Sequence, residues 1–148
     1  MLAVDVRKAT KADLPAVLAL YGQPDLDDGK VLDLAAAERI LDKMRQYPNY
    51  GVYMATLKNE VIGTFALLIM DNLAHLGAPS GIAEDVVVDS RWRGQGVGKQ
   101  MMQFAMEACR KAGCYKLMLS SSLTREPAHR FYEELGFQKH GYSFLVDL

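Results

Sequence analysis

The stretch that most constrains the fold is RWRGQGVGKQ, residues 91–100, which places three glycines at alternate positions directly after the apolar run VVVDS. The apolar run predicts a strand, and the spacing of apolar residues from Val97 onward predicts a helix. Glycines between the two would leave the first N–H groups of the helix open to a ligand. The helix end carries about half a positive charge, and Arg91, Arg93 and Lys99 add to it. The stretch therefore predicts a phosphate or pyrophosphate site, the alternative being a flexible turn with solvated cations.

The spacing of these residues excludes two common phosphate-binding motifs. A P-loop ending at Lys99 requires glycine at position 93 and Ser or Thr at position 100, where the chain has Arg93 and Gln100. A dinucleotide fingerprint that starts at Gly94 or Gly96 fails at position 99 or 101. We therefore do not expect NAD as a ligand.

Composition limits the class of protein. A chain of 148 residues that is 50% hydrophobic suits one domain spanning residues 1–148. A formal net charge of -1 argues against a nucleic-acid partner. The apolar stretch VIGTFALLIM is too short to span a bilayer, and no signal pattern is visible, so we expect no membrane partner and a cytoplasmic location. The spacing of Cys109 and Cys114 indicates neither a disulfide nor a metal site.

Hydrophobic periodicity and turn residues predict alternating strands and helices. In chain order these are a strand in VDVRKAT, a helix that begins after Thr10 with Asp13 completing its cap, a loop between Tyr21 and Val31, a helix capped by Asp33 to about Gln46, a hairpin of VYMATL and VIGTFALLIM, an irregular loop DNLAHLGAPSG, a strand in IAEDVVV, a helix that ends at Gly113, a strand in YKLMLS, a short helix from Pro127, and a final strand in FQKHGYSFLVDL. This order predicts an α/β or α+β fold with helices on the faces of a sheet.

The segment RGQGVG resembles the acetyl-CoA pyrophosphate loop of the GNAT superfamily of N-acetyltransferases, whose pattern is Arg or Gln, two residues, Gly, one residue, and Gly or Ala. The resemblance extends over residues 82–137. It implies a mixed, twisted central sheet flanked by helices, whose fourth and fifth strands, IAEDVVV and YKLMLS, splay apart to admit the pantetheine arm. The cofactor-binding residues that it implies are Val86, Val87, Val88, Arg93, Gly94, Gln95, Gly96, Val97, Gly98 and Lys99.

The resemblance implies an acetyl-CoA-dependent N-acetyltransferase that moves an acetyl group directly to the amine of a small molecule. Such a reaction needs a base, because an amine with a pKa of about 10.4 is protonated at neutral pH. Glu84 and Asp85 are the candidates. Neighbouring residues of a strand point to opposite faces, so we expect at most one to face the site. Family members carry an acid at the position of Glu84, which favours it and leaves Asp85 in reserve.

Further candidates follow from the same resemblance. Tyr132 in AHRFYEELGF matches a tyrosine that donates a proton to the departing sulfur, although a tyrosine on an apolar helix stripe is often a core residue. A main-chain N–H in the run Val86, Val87, Val88, on a bulged strand, would stabilise the oxyanion. His75 would contact a substrate or a metal if it acts as in the aminoalkylphosphonate acetyltransferases, whose C-terminal region the segment AHRFY also resembles, although a lone loop histidine is more often solvated. No metal is expected.

The loop PDLDDGK carries Asp25, Asp27 and Asp28, which is usual for a solvated turn but would also favour a cationic amine if the loop borders the acceptor site. Small members of the family are often dimers, which favours a homodimer, but the sequence leaves the oligomeric state open. The alternative function is a non-catalytic acyl-CoA-binding or regulatory module of the same fold. The presence of both Glu84 and Tyr132 favours the enzyme.

Overall fold

The computed structural model describes residues 2–148. They form two compact units, residues 2–118 and Leu119–Leu148, and the single domain spanning the chain stays a prediction. The elements of the first unit are β1 (Asp5–Lys8), α1 (Leu14–Tyr21), α2 (Leu34–Met44), β2 (Tyr50–Leu57), β3 (Glu60–Met70), β4 (Ser80–Val88), α3 (Val97–Lys111) and β5 (Lys116–Met118). The second unit contains α4 (Glu126–Glu134). No helix within residues 2–148 has the length and hydropathy that crossing a membrane requires.

The five strands lie in the order β1-β2-β3-β4-β5. The first four are antiparallel neighbours, and β5 pairs in parallel with β4. The predicted hairpin is confirmed: Lys58 and Asn59 join β2 to β3 with φ of 48° and 68°, the left-handed conformation that the tightest hairpin turns require. The sheet is therefore the mixed sheet that the resemblance implied.

Helices cover both faces of this sheet. Val17 of α1 packs in a cluster with Val52 and Met54 of β2. The residue between them, Tyr53, stacks on Phe65 at 5.4 Å between ring centroids, and Phe104 of α3 contacts Tyr53 at 5.4 Å. Because successive residues of a strand point to opposite faces, α1 lies on one face and α3 on the other. The predicted α/β architecture is confirmed.

The predicted helix ends are also confirmed. Asp33 accepts a hydrogen bond from Ala36 N at 2.9 Å, and Asp13 accepts one from Thr10 N at 2.8 Å, so each carboxylate satisfies an N–H group at the start of a helical segment. Gly113 follows α3 with φ of 79°, a conformation that glycine adopts readily.

The predicted final strand is wrong. Within the described part of the chain, FQKHGYSFLVDL forms neither strand nor helix. Its alternating apolar side chains are almost fully exposed: Tyr142 90%, Phe144 90%, Val146 76% and Leu148 117%. The alternation of apolar and polar residues indicates which face of a strand would be apolar. A strand also needs a neighbouring strand for its main-chain hydrogen bonds, and the pattern carries no information about that. The strand predicted in YKLMLS is confirmed but shorter, covering Lys116–Met118.

The predicted splay between the fourth and fifth strands is confirmed. β5 pairs with β4 at three positions, from Ser80 with Lys116 to Ile82 with Met118. The rest of β4, residues 83–88, has no β5 residue opposite it. Gly81 lies within the paired part, where a Cβ would meet Cys109 Sγ and, at 3.2 Å, Leu117 Cδ1. Glycine therefore lets α3 pack closely at the point from which the strands diverge.

Candidate active site

The strand β4 leads into α3 through the glycine stretch. Asp89 accepts a hydrogen bond from Arg91 N at 2.9 Å and caps a short 3₁₀ turn, Ser90–Trp92. Gly94 and Gly96 then take φ of 73° and 84°, left-handed conformations that cost other residues more than glycine. Val97 begins the helix directly after Gly96.

The glycine stretch forms an anion cradle, which we define as the main chain of residues 93–99. Among residues 2–148, no acceptor is found for the main-chain N–H groups of residues 93–99. The next N–H group, that of Gln100, donates to Gly96 O at 3.1 Å. A Cβ added to Gly94 would meet no atom within 4 Å, so space is open beside the cradle. The exposed Lys99 adds a positive charge in the first turn. The cradle has the unpaired donors and the charge that a phosphate group needs.

The side chain of Gln100 ties the start of α3 to the beginning of the chain. Its Oε1 accepts a hydrogen bond from Val4 N at 3.2 Å, and its Nε2 donates to Leu2 O and to Gly96 O at 3.3 Å. The first turn of α3 is thereby held against the segment before β1.

Two of the three cations near the cradle pair with carboxylates. Arg91 donates to Glu60 at 2.6 Å and to Asp89 at 2.8 Å, and the hydrogen bond from Arg91 holds the pKa of Asp89 below its usual value. Arg93 donates through Nη2 to Asp25 at 2.9 Å and through Nε to Val88 O at 3.3 Å. The charge that these two residues offer to an anion is therefore partly neutralised.

The strand β4 contains the β-bulge that the resemblance implied. Thr64 pairs with Val87 and Ala66 with Glu84, so Asp85 and Val86 together lie opposite Phe65. Asp85 has φ of 52°, a left-handed conformation that is uncommon for a residue other than glycine. Such strain is typical of functional sites.

The bulge alters the geometry of the two candidate bases. The register runs from Glu84 through Ala66 to Val52, which puts Glu84 on the face covered by α1. Burial raises the pKa of Tyr50, and the charges of Asp85 and Glu84 raise it further, so both carboxylates lie near this tyrosine. The expectation that Glu84 and Asp85 point to opposite faces assumed a regular strand, and the extra residue of the bulge interrupts that alternation, so the expectation stays a prediction.

Two more groups accompany these carboxylates. Burial and, next in size, the charge of Asp85 raise the pKa of Tyr21 to about 12. The pKa of Asp85 is itself raised, first by burial and then by the charge of Asp27. The acidic loop, residues 22–32, therefore borders the carboxylate pair. Sequence reasoning missed Tyr21 and Tyr50, since neither belongs to a motif.

The acidic loop is fastened to the end of β4. Gln23 Nε2 donates to Val88 O at 3.1 Å, and Gln23 Oε1 accepts from Ser90 N at 2.9 Å. Together with the pairing of Asp25 and Arg93, this attaches the loop at two places. Sequence reasoning missed both attachments because the partners are 65 to 68 residues apart.

The edge of β4 that β5 leaves unpaired includes Val86, Val87 and Val88. Val87 is buried, whereas Val86 and Val88 are half-buried. Antiparallel pairing with β3 occupies one side of this strand, so main-chain groups on the other side face the gap.

Tyr132 belongs to the second unit, within α4. Its ring packs edge-on against Phe131 and Phe137, at 5.0 and 5.6 Å between centroids. Burial raises its pKa, and the charge of Arg125 opposes the shift. Within residues 119–148, no hydrogen bond joins the Tyr132 hydroxyl to another group, so the tie to main chain expected of a core tyrosine is not found there.

His75 lies at the other end of β4 from the bulge. Its exposed ring stacks on Tyr115 at 4.2 Å, and Tyr115 N donates to Pro79 O at 3.0 Å, directly before β4 begins. Glu84 follows Ser80 by four strand residues, or about 13 Å. Among residues 2–148, no group of three His, Cys, Asp or Glu side chains is arranged to hold a metal ion.

Known proteins resemble this chain over nearly its whole length. It is 31% identical to a glucosamine 6-phosphate N-acetyltransferase of Trypanosoma brucei brucei, covering 98% of this chain and 96% of that protein. It is 33% identical to an aminoalkylphosphonate N-acetyltransferase of Salmonella typhimurium, covering 97% and 91%. The crystal structure of a transcriptional regulator from Bacillus halodurans C-125 superimposes with a TM-score of 0.91 at 25% identity, covering 99% of this chain and 100% of that one.

A family-level comparison agrees with these relatives. The sequence profile of the Acetyltransferase (GNAT) family matches residues 18–137, which include the acidic loop, the bulged strand, the anion cradle and Tyr132. The chain belongs to the GNAT family and is an N-acetyltransferase.

Proposed function

We propose that this enzyme transfers the acetyl group of acetyl-CoA directly to the amine of a small molecule. The observation that carries the proposal is the anion cradle, whose N–H groups at residues 94–99 have no acceptor among the described residues. The cradle lies directly after a strand whose edge is open at residues 83–88. A pyrophosphate with an attached amide-containing arm matches both features. The pyrophosphate needs clustered N–H donors, and the amides of the arm need an unpaired strand edge.

The main chain contributes most of the proposed cofactor site. The N–H groups of residues 93–99 bind the pyrophosphate, and the Lys99 ammonium adds charge. The open edge at Val86, Val87 and Val88 pairs with the pantetheine amides, and an N–H of this run stabilises the oxyanion that forms on the thioester carbonyl. Acetyl-CoA acts as a co-substrate, and its acetyl group passes to the acceptor.

The acceptor amine needs a base, which we assign to the carboxylate pair. Glu84 is the first choice from the family resemblance. Asp85 has the property expected of a base that works nearer neutral pH, since burial and the charge of Asp27 raise its pKa. Both lie on the side of the sheet bordered by the acidic loop, so an ammonium acceptor is attracted to the same place where it loses its proton.

Tyr132 is the proposed donor to the departing sulfur. Its hydroxyl has no hydrogen bond within residues 119–148, while its ring is held by Phe131 and Phe137. A fixed ring with an uncommitted hydroxyl suits proton donation. A phenol is protonated at neutral pH, and burial raises the pKa of Tyr132 further, so the proton is present.

The proposed acceptor is a small amine, and two classes compete. The relatives are named for glucosamine 6-phosphate and aminoalkylphosphonates, which carry anionic groups. The acidic loop with Asp25, Asp27 and Asp28 favours acceptors with a net positive charge. His75 lies at the far end of β4 from the carboxylate pair, so it would contact the acceptor only if the acceptor extends along β4. Detecting N-acetylated product by mass spectrometry, with glucosamine 6-phosphate, an aminoalkylphosphonate and a plain diamine, distinguishes the classes.

A second candidate is the regulatory module, favoured by the resemblance to a transcriptional regulator over the full chain. It predicts acetyl-CoA binding without acetylated product for any amine tested. The assignment of Glu84 and Tyr132 to catalysis favours the enzyme.

The cytoplasmic location of the protein stays a prediction.

The cradle predicts a specific sensitivity at Gly96. Gly96→Ala should weaken acetyl-CoA binding at least tenfold, because a Cβ and a shift from φ of 84° move the N–H groups away from the pyrophosphate. Gly113→Ala, with φ of 79° at the other end of α3, is the matched control and should cost similar stability without loss of affinity. Calorimetric titration with acetyl-CoA measures both. A folded Gly96→Ala variant that binds within threefold of the unaltered chain contradicts the cradle.

The carboxylate pair predicts a pH signature. Glu84→Gln should lower kcat/KM most near neutral pH and less at high pH, where the amine deprotonates without help. Asp85→Asn is the comparison, since asparagine tolerates the left-handed main chain. The pH–rate profile of each variant is the measurement. If Asp85→Asn shows the pH-dependent loss and Glu84→Gln does not, Asp85 is the base, and an equal loss at all pH values in both contradicts a basic role.

Tyr132→Phe keeps the ring and removes the hydroxyl. Because proton donation to the departing thiolate occurs in the transition state, kcat should fall by roughly 10- to 1,000-fold with little change in acetyl-CoA affinity. Tyr142→Phe removes a hydroxyl from an exposed ring in the same unit and serves as control. Unchanged turnover per folded molecule, with a lowered melting temperature, would remove Tyr132 from the mechanism.

The exposed apolar side chains of residues 142–148 support the proposed homodimer. Tyr142, Phe144, Val146 and Leu148 alternate along this segment and are at least 76% exposed, an arrangement that self-association covers. Light scattering should give twice the chain mass, and Phe144→Asp should shift it toward one chain. Leu123→Asp makes the same kind of change at an exposed leucine of the same unit but outside this segment, and it should leave the mass unchanged. A single-chain mass for the unaltered protein would overturn this proposal.

A further inference from the structure

The two attachments of the acidic loop differ in kind. Gln23 bonds to main-chain atoms of Val88 and Ser90, which are neutral partners. Asp25 bonds to the guanidinium of Arg93 at 2.9 Å, and Arg93 is the first residue of the anion cradle. A ligand anion that binds Arg93 must therefore compete with the carboxylate of Asp25. The Gln23 attachment involves no charged group, so an anion does not compete with it.

The loop is also closed upon itself. Gly29 N donates to Gly22 O at 2.8 Å, Asp27 N to Tyr21 O at 3.0 Å, and Leu26 N to Gln23 O at 3.1 Å. These bonds lie inside the loop or join it to the end of α1, so they persist if Asp25 leaves Arg93. Loss of the Asp25–Arg93 pair would leave the Gln23 attachment and these main-chain bonds in place.

We propose that Asp25 and the pyrophosphate of acetyl-CoA compete for Arg93, so that cofactor binding releases one of the two attachments of the acidic loop. The inference rests on the proposed function, since it takes acetyl-CoA as the ligand of the cradle. Asp25 opposes the cofactor in two ways: it neutralises Arg93, and its own charge repels the incoming anion. Both effects have the same sign.

The competition links the cofactor site to the acceptor side of the enzyme. Asp27, which raises the pKa of Asp85, lies two residues beyond Asp25 on the same loop. Releasing Asp25 therefore frees the segment that borders the proposed base. By reciprocity, whatever holds the loop in its attached position weakens acetyl-CoA binding.

The expected size of the effect is modest. The Arg93 side chain is 48% exposed and that of Asp25 28%, and ion pairs with this much solvent access contribute little. Asp25→Asn should tighten acetyl-CoA binding about two- to fivefold, and added salt should reduce the gain by screening both charges.

Calorimetric titration with acetyl-CoA on the full chain tests the inference through a double-mutant cycle. Asp25→Asn should gain affinity alone but gain much less in an Arg93→Gln background, where no cation remains to compete for. Asp28→Asn is the control, because it removes a carboxylate of the same loop that makes no ion pair among the described residues. The acetyl-CoA affinity of this variant should change less than that of Asp25→Asn. Backbone amide relaxation should show the loop becoming more mobile when acetyl-CoA binds.

The affinities of these variants distinguish competition for Arg93 from the other roles of Asp25. Unchanged or weaker acetyl-CoA binding by Asp25→Asn would overturn the inference, and weaker binding would mean that Asp25 orients Arg93 for the pyrophosphate. An equal gain with and without Arg93 would also overturn it, since only the general charge of the loop would then matter. If the unaltered chain binds no acetyl-CoA, the proposed function itself fails, and the inference with it.

Discussion

The early separation of β4 from β5 is the constraint on which the proposed site depends. Pairing stops after Ile82, although β4 continues to Val88, and Gly81 beside that point lets Cys109 and Leu117 pack against the strand. The open edge and the cradle after it are both made of main chain. The groups that would contact the cofactor are therefore specified by backbone conformation, which explains why glycines and a bulge identify the site better than any set of reactive side chains.

The bulge in β4 has an energetic cost. Asp85 adopts φ of 52° and has a raised pKa, first because of burial and then because of Asp27. A carboxyl whose pKa is higher in the folded than in the unfolded chain destabilises the fold once it ionises, so this contribution worsens as pH rises through the ordinary range of aspartate titration and is absent at lower pH. A strained carboxylate that lowers stability is the compromise expected where function and not packing determines the residue.

Local signals predicted most of the fold, and contacts distant in sequence account for what they missed. Asp33 and Gly113 predicted helix ends because a cap involves residues a few positions apart. The final strand failed because alternation cannot provide a neighbouring strand. The opposite-face argument for Glu84 and Asp85 assumed a regular strand, and the bulge that interrupts it depends on the register with β3. The pairing of Asp25 with Arg93 leaves no trace in either local sequence.

The attachment of Gln100 to Val4 and Leu2 has a consequence for how the enzyme reaches its native state. These bonds join residues 96 and 98 positions apart, and the ties from Gln23 and Asp25 to the segment before the cradle span 65 to 68 positions. Closing such large loops is entropically costly, and contacts of this range slow folding relative to hairpins and single helices. We therefore expect the cradle to form late in folding. The β2-β3 hairpin and α3 can assemble from neighbouring residues, whereas the anion site needs the first residues of the chain to dock.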